Sequence, residues 1–419
     1  MNIFIGVVVG FLILMLLVVA HEFGHFIAAR RNGVTVEEFG IGFPPRAVAW
    51  VRNPEYLEWK KNGKKGKKPK GWLKYPKSEW YKKQKTLIFS INWLPIGGFC
   101  SMKGESDSDT TPHSFGSASL WAKTKILFAG VAMNWLVAFV ILTGLALTGM
   151  PVFMDNQFVV ANDTTKTSTT ISVKEVIEDS PAKQAGLEKD DILISAYPKD
   201  DSENITIFET ASDIIDFNNN HSAETVVYHF SRNSEDKEAT VNLNSKDADY
   251  LLGITMNQEG QSLHRATWSA PIVAAVNTVQ LTGETYRGLG GMVGSLFSGI
   301  VKQFSGDDAT RSEGQQEIKA AGDSVSGPVG IIGVLFPNSV ESGPTTLAFL
   351  AAVISISLAC MNVLPIPALD GGRFFLIMLY RIRGKKLTKE TEERIVSRAF
   401  IFLLVLIVLV TVLDITRFF

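Results

Sequence analysis

Apolar and polar positions are strongly segregated along this chain. Four long apolar runs, Ile3 to Ala20, Ile126 to Met150, Thr346 to Leu364 and Ala399 to Leu413, alternate with polar stretches. The first is about the minimum length for a helix that crosses a bilayer core at 1.5 Å per residue. The pattern predicts four transmembrane helices. A signal peptide competes for the first run, but Met1-Asn2 carries no basic side chain. The run also passes without a break into His21-Glu22-Phe23-Gly24-His25, so a retained helix is expected. A fifth apolar stretch, Pro271 to Val301, is interrupted by Gly288, Gly290, Gly291 and Gly294 and carries Glu284 and Arg287. It reads as a helix lying on the membrane rather than a further span.

Between Gln157 and Met256 the period shortens to an alternation broken by polar turns such as Asp200-Asp201-Ser202, an α+β pattern. Within it, Ser180 suits a helix cap, Pro181 the first helical position and Gly186 the position just past the end. A β-hairpin is expected from Val36 to Trp50 and Thr86 to Met102. The fold class is therefore a multi-pass α-helical membrane protein with an inserted α+β domain and a membrane-associated β-hairpin. Four regions follow: 1–150, 151–260, 261–344 and 345–419.

Length and composition agree with that division. A chain of 419 residues is too long for one ordinary core, and 46% apolar residues is high for a purely soluble protein. A net charge of −1 says nothing about partners, but its distribution does. Lysines crowd Lys60 to Lys85, and Arg381-Ile382-Arg383-Gly384-Lys385-Lys386 is basic, whereas Pro151 to Pro344 is acidic to neutral. The positive-inside rule puts both basic loops in the cytoplasm and the large segment outside, with both termini outward. Basic residues beside a membrane helix set topology or touch anionic headgroups, so the bilayer, not nucleic acid, is the expected partner. Cys100 and Cys360 match no disulfide or metal spacing and read as small hydrophobes.

That leaves histidine and carboxylate for metal chemistry. His21 and His25 project from one face of a helix, one turn apart, so two imidazoles can grip one Zn²⁺ with Glu22 beside them. A polar, solvated turn is the bland alternative, but ionisable groups at the end of a membrane span usually mark function. A catalytic zinc needs a third protein ligand. A candidate is Asp370, a lone carboxylate after the third run, followed by Gly371 and Gly372, which permit close backbone approach. Pro365 and Pro367 break the helix before it, freeing backbone that is tolerated only inside protein or along a wet cavity. Asp370 could instead cap the helix that follows.

At these two motifs the chain resembles the site-2 protease family of intramembrane metalloproteases, and within it the bacterial regulator-of-sigma-E-protease type. The resemblance implies His21, His25 and Asp370 as ligands of one zinc ion and Glu22 as the catalytic carboxylate. The stretch Asn362 to Gly372 matches an NxxPxPxLDGG motif, in which the asparagine helps to hold the substrate backbone. Phe39 to Pro44, Trp93 to Phe99, Phe128 to Asn134 and Ser326 to Ile331 extend the likeness over nearly the whole chain. Pro45, Val131 and the Lys60 to Lys85 stretch depart from it. Val176 to Leu187 resembles a PDZ domain, a module that takes extended peptides at a sheet edge or screens bulky ectodomains.

The function so implied is hydrolysis of peptide bonds in or near the single transmembrane segment of membrane-protein substrates, such as anti-sigma factors or remnant signal peptides. A substrate helix must unwind first, because its amides are tied up in i→i−4 bonds. Asn362 is a candidate catalytic residue that, with Asn134, can hydrogen-bond the substrate backbone or developing oxyanion. Asn134, Pro365, Pro367, and Ser90 and Ile91 of a hairpin with an exposed edge are candidate substrate contacts. The run Trp268 to Phe304 is expected to act as an outer gate. Rival readings are an intramembrane metal transporter, an inactive PDZ-bearing adaptor, and a soluble-type zinc protease on a membrane tether.

Overall fold

The computed structural model describes residues 2–418 except 65–66, 76–86, 155, 168–169, 209, 234, 260–262 and 324–326, so Thr86 and much of the lysine-rich stretch lie outside the described residues. The chain forms two compact units, Met1–Gly144 with Ala274–Phe419, and Leu145–Val273.

Helix α1 (Asn2–Arg31) does not stop where the apolar run stops. No proline interrupts it, and Arg30 and Arg31 in its last turn suit the negative end of the helix dipole. After a turn at Gly33 (φ +78°), β1 (Val36–Arg52), α2 (Pro54–Lys61), β2 (Trp72–Lys74) and β3 (Ile88–Met102) follow, the strands forming an antiparallel sheet ordered β2-β1-β3. The expected hairpin is present, but both long strands fold in two. Gly42 (φ +77°) with Pro44 and Pro45 bends β1, and Pro95 with Gly97 (φ +74°) bends β3.

Residues 38–41 of β1 consequently pair with 98–101 on one side and 88–91 on the other, while 48–51 closes the far side of 88–91. Ser90 faces both Gly40 and Ala49, and Ile91 faces both Ile41 and Val48. This corrects the open edge expected at those two residues: they lie inside the sheet, and the outer edge of β3 is at 98–102. Phe26 and Phe39 bind this sheet to α1 through edge-on ring contacts. Helix α3 (Leu120–Thr148) completes the N-terminal half.

Within the second unit, β4 (Met150–Pro151), β5 (Thr165–Thr167) and β12 (Leu263–Arg265) form a small sheet. The larger sheet has the order β10-β9-β7-β6-β11, with β8 against β7. Its strands are β6 (Thr170–Val176), β7 (Ile192–Pro198), β8 (Thr206–Ile207), β9 (Thr225–Arg232), β10 (Glu235–Asn242) and β11 (Ile254–Glu259). Helix α4 (Pro181–Gln184) is capped by the Ser180 hydroxyl, which accepts from Lys183 N–H, and ends at Gly186 (φ +80°), both as the sequence indicates. Helix α5 (Ala211–Asn220) starts with a reciprocal Thr210–Asp213 capping box. Ile171, Leu193, Ile214, Tyr228 and Val241 fill the core. Asp191, with no solvent access, is clamped by Arg232 at 2.6 and 2.7 Å and accepts from Glu188 N–H.

Helix α6 (Ala270–Gln303) runs unbroken through its glycines and reaches α10 (Pro344–Val363) through a Tyr286 hydroxyl bond to the Cys360 carbonyl. Helix α7 (Asp308–Asp323) packs back on α6, where Gly299 and Gly314 approach each other's carbonyls and Lys302 pairs with Glu313 and Glu317. A short segment follows: α8 (Pro328–Gly330), a π-helical turn at Ile331–Leu335, and α9 (Phe336–Glu341). It packs on α1 where Gly6 and Gly10 leave room for Pro337 and Phe336. Helices α11 (Asp370–Ile382) and α12 (Lys389–Phe418) end the chain, and the buried Asp414 of α12 accepts from Gly327 and Gly330 N–H.

Among the described residues, four helices are long and apolar enough to cross a membrane, at Ile3–Arg31, Leu120–Thr148, Pro344–Val363 and Lys389–Val412; α6 is not among them. Because Ile91 is paired on both sides, Ile91→Pro removes a ladder hydrogen bond inside the sheet. It should cost about 1–3 kcal/mol and lower the thermal midpoint of the detergent-solubilised protein. An unchanged midpoint would mark residues 88–91 as an edge after all.

Candidate metal centre

On α1, His21 and His25 stand one turn apart and turn inward, 7% and 5% exposed. They face α3, and the two helices come together because Gly24 has no side chain. A Cβ there would lie 2.3 Å from the Ala129 carbonyl oxygen. His25 Nδ1 donates to the Ile126 carbonyl at 2.8 Å, and His21 Nδ1 lies 3.4 Å from the Asn134 amide. Ile126, Gly130 and Asn134 are spaced four apart, so one stripe of α3 meets both imidazoles.

The carboxylate arrives from the far end of the chain. Helix α10 ends at Val363, the prolines at 365 and 367 carry the chain through an irregular loop, and α11 begins at Asp370. The loop folds tightly onto the start of α11. A Cβ on Gly371 would sit 2.2 Å from Val363 O, and one on Gly372 would sit 1.9 Å from Ile366 O. The two glycines are therefore a packing requirement. No side chain caps α11, and the Asp370 carboxylate turns to the histidines. The positive end of the α11 dipole favours its negative charge.

His21 Nε2 and Asp370 Oδ2 are 3.0 Å apart, His25 Nε2 and Asp370 Oδ2 3.2 Å, and the two Nε2 atoms 3.2 Å. These three atoms form a nearly equilateral triangle, although His21 and Asp370 are 349 positions apart in sequence. In a tetrahedral zinc site with bonds of about 2.0 Å, ligand atoms are about 3.3 Å apart, so the triangle has the size three ligands of one ion require. Beside it the protein keeps a space. A Cβ on Gly130 would fall 2.5 Å from His21 Nε2 and 2.6 Å from His25 Nε2. Donor types, separation and clearance fit zinc. Among the described residues this is the one cluster of three or more metal-ligating side chains.

Glu22 follows His21 directly, is half-buried, and its carboxylate lies near the Cys100 backbone N–H on the outer edge of β3. Asn134 is fully buried against His21. The other expected site residues are not bonded to the triangle. The Asn362 amide donates to the Leu358 carbonyl of its own helix at 3.0 Å, Ser90 is buried and accepts from Asn92, and Ile91 is exposed. Pro365 is exposed and Pro367 half-buried. Sequence reasoning missed Gly130, the Ile126 carbonyl and the Cys100 N–H. The first two stand four and eight residues before Asn134, a helical spacing that was there to be read. A strand N–H opposite Glu22 leaves no such trace.

Comparison with known proteins gives the family. The sequence model of peptidase family M50 matches residues 9–58 and 76–407. The chain is 26% identical to "Regulator of sigma-W protease RasP" of Bacillus subtilis over 99% of this chain and 100% of that one. It is 23% identical to "Zinc metalloprotease RasP" of Shouchella clausii over 97% and 98%. A relative from Nostoc sp. that also carries a zinc metalloprotease name is 26% identical over 98% and 96%. With the match spanning most of its length, the chain belongs to peptidase family M50, whose members are zinc-dependent peptidases.

Proposed function

We propose that this chain is an intramembrane zinc endopeptidase that cuts membrane proteins in or near a single transmembrane segment, with His21, His25 and Asp370 as the zinc ligands and Glu22 as the catalytic carboxylate. The observation that carries this reading is the triangle itself, made by two histidines of an apolar, membrane-length helix and an aspartate at the far end of the chain. A zinc ion held by His21, His25 and Asp370 would supply Lewis-acid polarisation of the scissile carbonyl and make water a nucleophile near neutral pH. Glu22 takes a proton on its carboxylate and returns it to the leaving amine, acting as general base and then acid. The Cys100 N–H lies near that carboxylate. Asn362, at the end of α10, binds the unwound substrate backbone, and Pro365 and Pro367 line its path. Residues 98–102, beside Glu22, offer the strand edge on which an unwound segment lies.

The basic loops set the orientation: the active site opens towards the cytoplasm, and the inserted domain and both termini face outward. The strand–capped helix–strand pattern at 176–193 supports a PDZ-like reading of the inserted domain, which admits or holds extended peptides. The sigma-W name of the Bacillus subtilis relative supports membrane-anchored regulators such as anti-sigma factors as substrates.

Three substitutions test the assignment in the purified protein. Glu22→Gln should lower turnover of a transmembrane peptide by about 10²–10⁴-fold and leave zinc content at one per chain. A transporter would keep its metal flux in that variant, and an adaptor would tolerate His21→Ala. Asp370→Ala should lose zinc together with activity; a tethered soluble-type protease would keep both. Gly130→Ala should abolish zinc binding without unfolding the chain, since its methyl group points at both Nε2 atoms. Full zinc content in Gly130→Ala would show that the ion lies elsewhere.

A further inference from the structure

The two histidines are not held alike. His25 has its Nδ1–H fixed by a backbone carbonyl, Ile126 O at 2.8 Å. At the matching place on His21 there is a side chain, the Asn134 amide at 3.4 Å. A neutral imidazole that binds a metal through Nε2 carries its proton on Nδ1 and needs an acceptor there. Among the described residues, the Asn134 amide is the one group within hydrogen-bond reach of His21 Nδ1.

Asn134 has no solvent access, and its Oδ1 meets no donor where it stands. The amide nitrogen is the atom nearer the ring. A half-turn about the last side-chain bond exchanges the two atoms, which have nearly the same shape, and sets Oδ1 against the His21 Nδ1–H. The backbone around it is fixed independently, because the Ser355 hydroxyl of α10 donates to the Asn134 carbonyl at 2.9 Å. The stripe of α3 then has three successive tasks: the Ile126 carbonyl holds His25, Gly130 clears the space before both Nε2 atoms, and Asn134 holds His21.

We propose that Asn134 is a positioning residue for the metal centre, its amide oxygen keeping the proton of His21 on Nδ1 so that Nε2 presents its lone pair to zinc. This rests on the zinc-site reading above and replaces a substrate-binding role for Asn134, whose burial against His21 leaves no face for a peptide.

The test is zinc affinity, measured by competition with a chromophoric chelator on the full chain in detergent, for wild type, Asn134→Asp and Asn134→Leu. Loss of an outer partner of a metal-bound histidine typically weakens metal binding about 10–100-fold, and Asn134→Leu should fall in that range. Asn134→Asp keeps an acceptor at the same place and should bind zinc as tightly as wild type or more so. If Asn134 merely fills space, the buried charge of the aspartate would be at least as harmful as leucine. An Asn134→Asp affinity reduced tenfold or more overturns the proposal, whether or not Asn134→Leu folds. Wild-type affinity in folded Asn134→Leu overturns it equally. A wild-type chain that binds no zinc would instead remove the metal-centre reading on which it rests.

Discussion

Two imidazoles and one carboxylate converge within 3.2 Å of one another among apolar helices, and the surrounding packing exists to let them do so. Taking such groups out of water is costly unless a metal or a hydrogen bond replaces the solvent. The protein meets that demand by approach distance. Gly24 lets α1 press against α3, Gly130 keeps the two Nε2 atoms clear, and Gly371 and Gly372 let the loop after α10 fold back so that α11 begins at the Asp370 carboxylate. Each is a place where one methyl group would collide with backbone or imidazole atoms. The four glycines occur on three different helices, yet serve one point.

The same principle explains how the sheet is built. Its two long strands bend where glycine and proline occur together, and the bends bring the outer edge of β3 alongside α1. There the Cys100 N–H, on the outer edge of the strand, comes near Glu22. An edge strand normally leaves such a donor to solvent or to another chain. Here it faces the Glu22 carboxylate beside His21.

Much of this was legible in the sequence. Apolar runs located the four helices apolar enough to cross a membrane, the i, i+4 histidines marked one candidate ligand face, and an aspartate with two following glycines stood out after the third run. Helix ends were less legible, because a membrane boundary is where apolar residues stop, not where hydrogen bonding stops. Thus α1 passes through the histidines to Arg31. In the inserted domain, local chemistry at Ser180 and Gly186 was readable from residue types, whereas the Arg232 clamp on Asp191 depends on strands far apart in sequence. The sheet interior at Ser90 and Ile91 was misjudged for a similar reason. Alternation gives the faces of a strand but not how many neighbours it has, and the doubling arises from two bends acting together.

The central claim concerns the atoms around the ion, and zinc-edge X-ray absorption of the purified chain reads them directly. The account predicts two imidazole nitrogens and light oxygen ligands at about 2.0 Å with no sulfur. A sulfur shell near 2.3 Å, which would bring in Cys100 or Cys360, or a spectrum with fewer than two imidazoles, would contradict it.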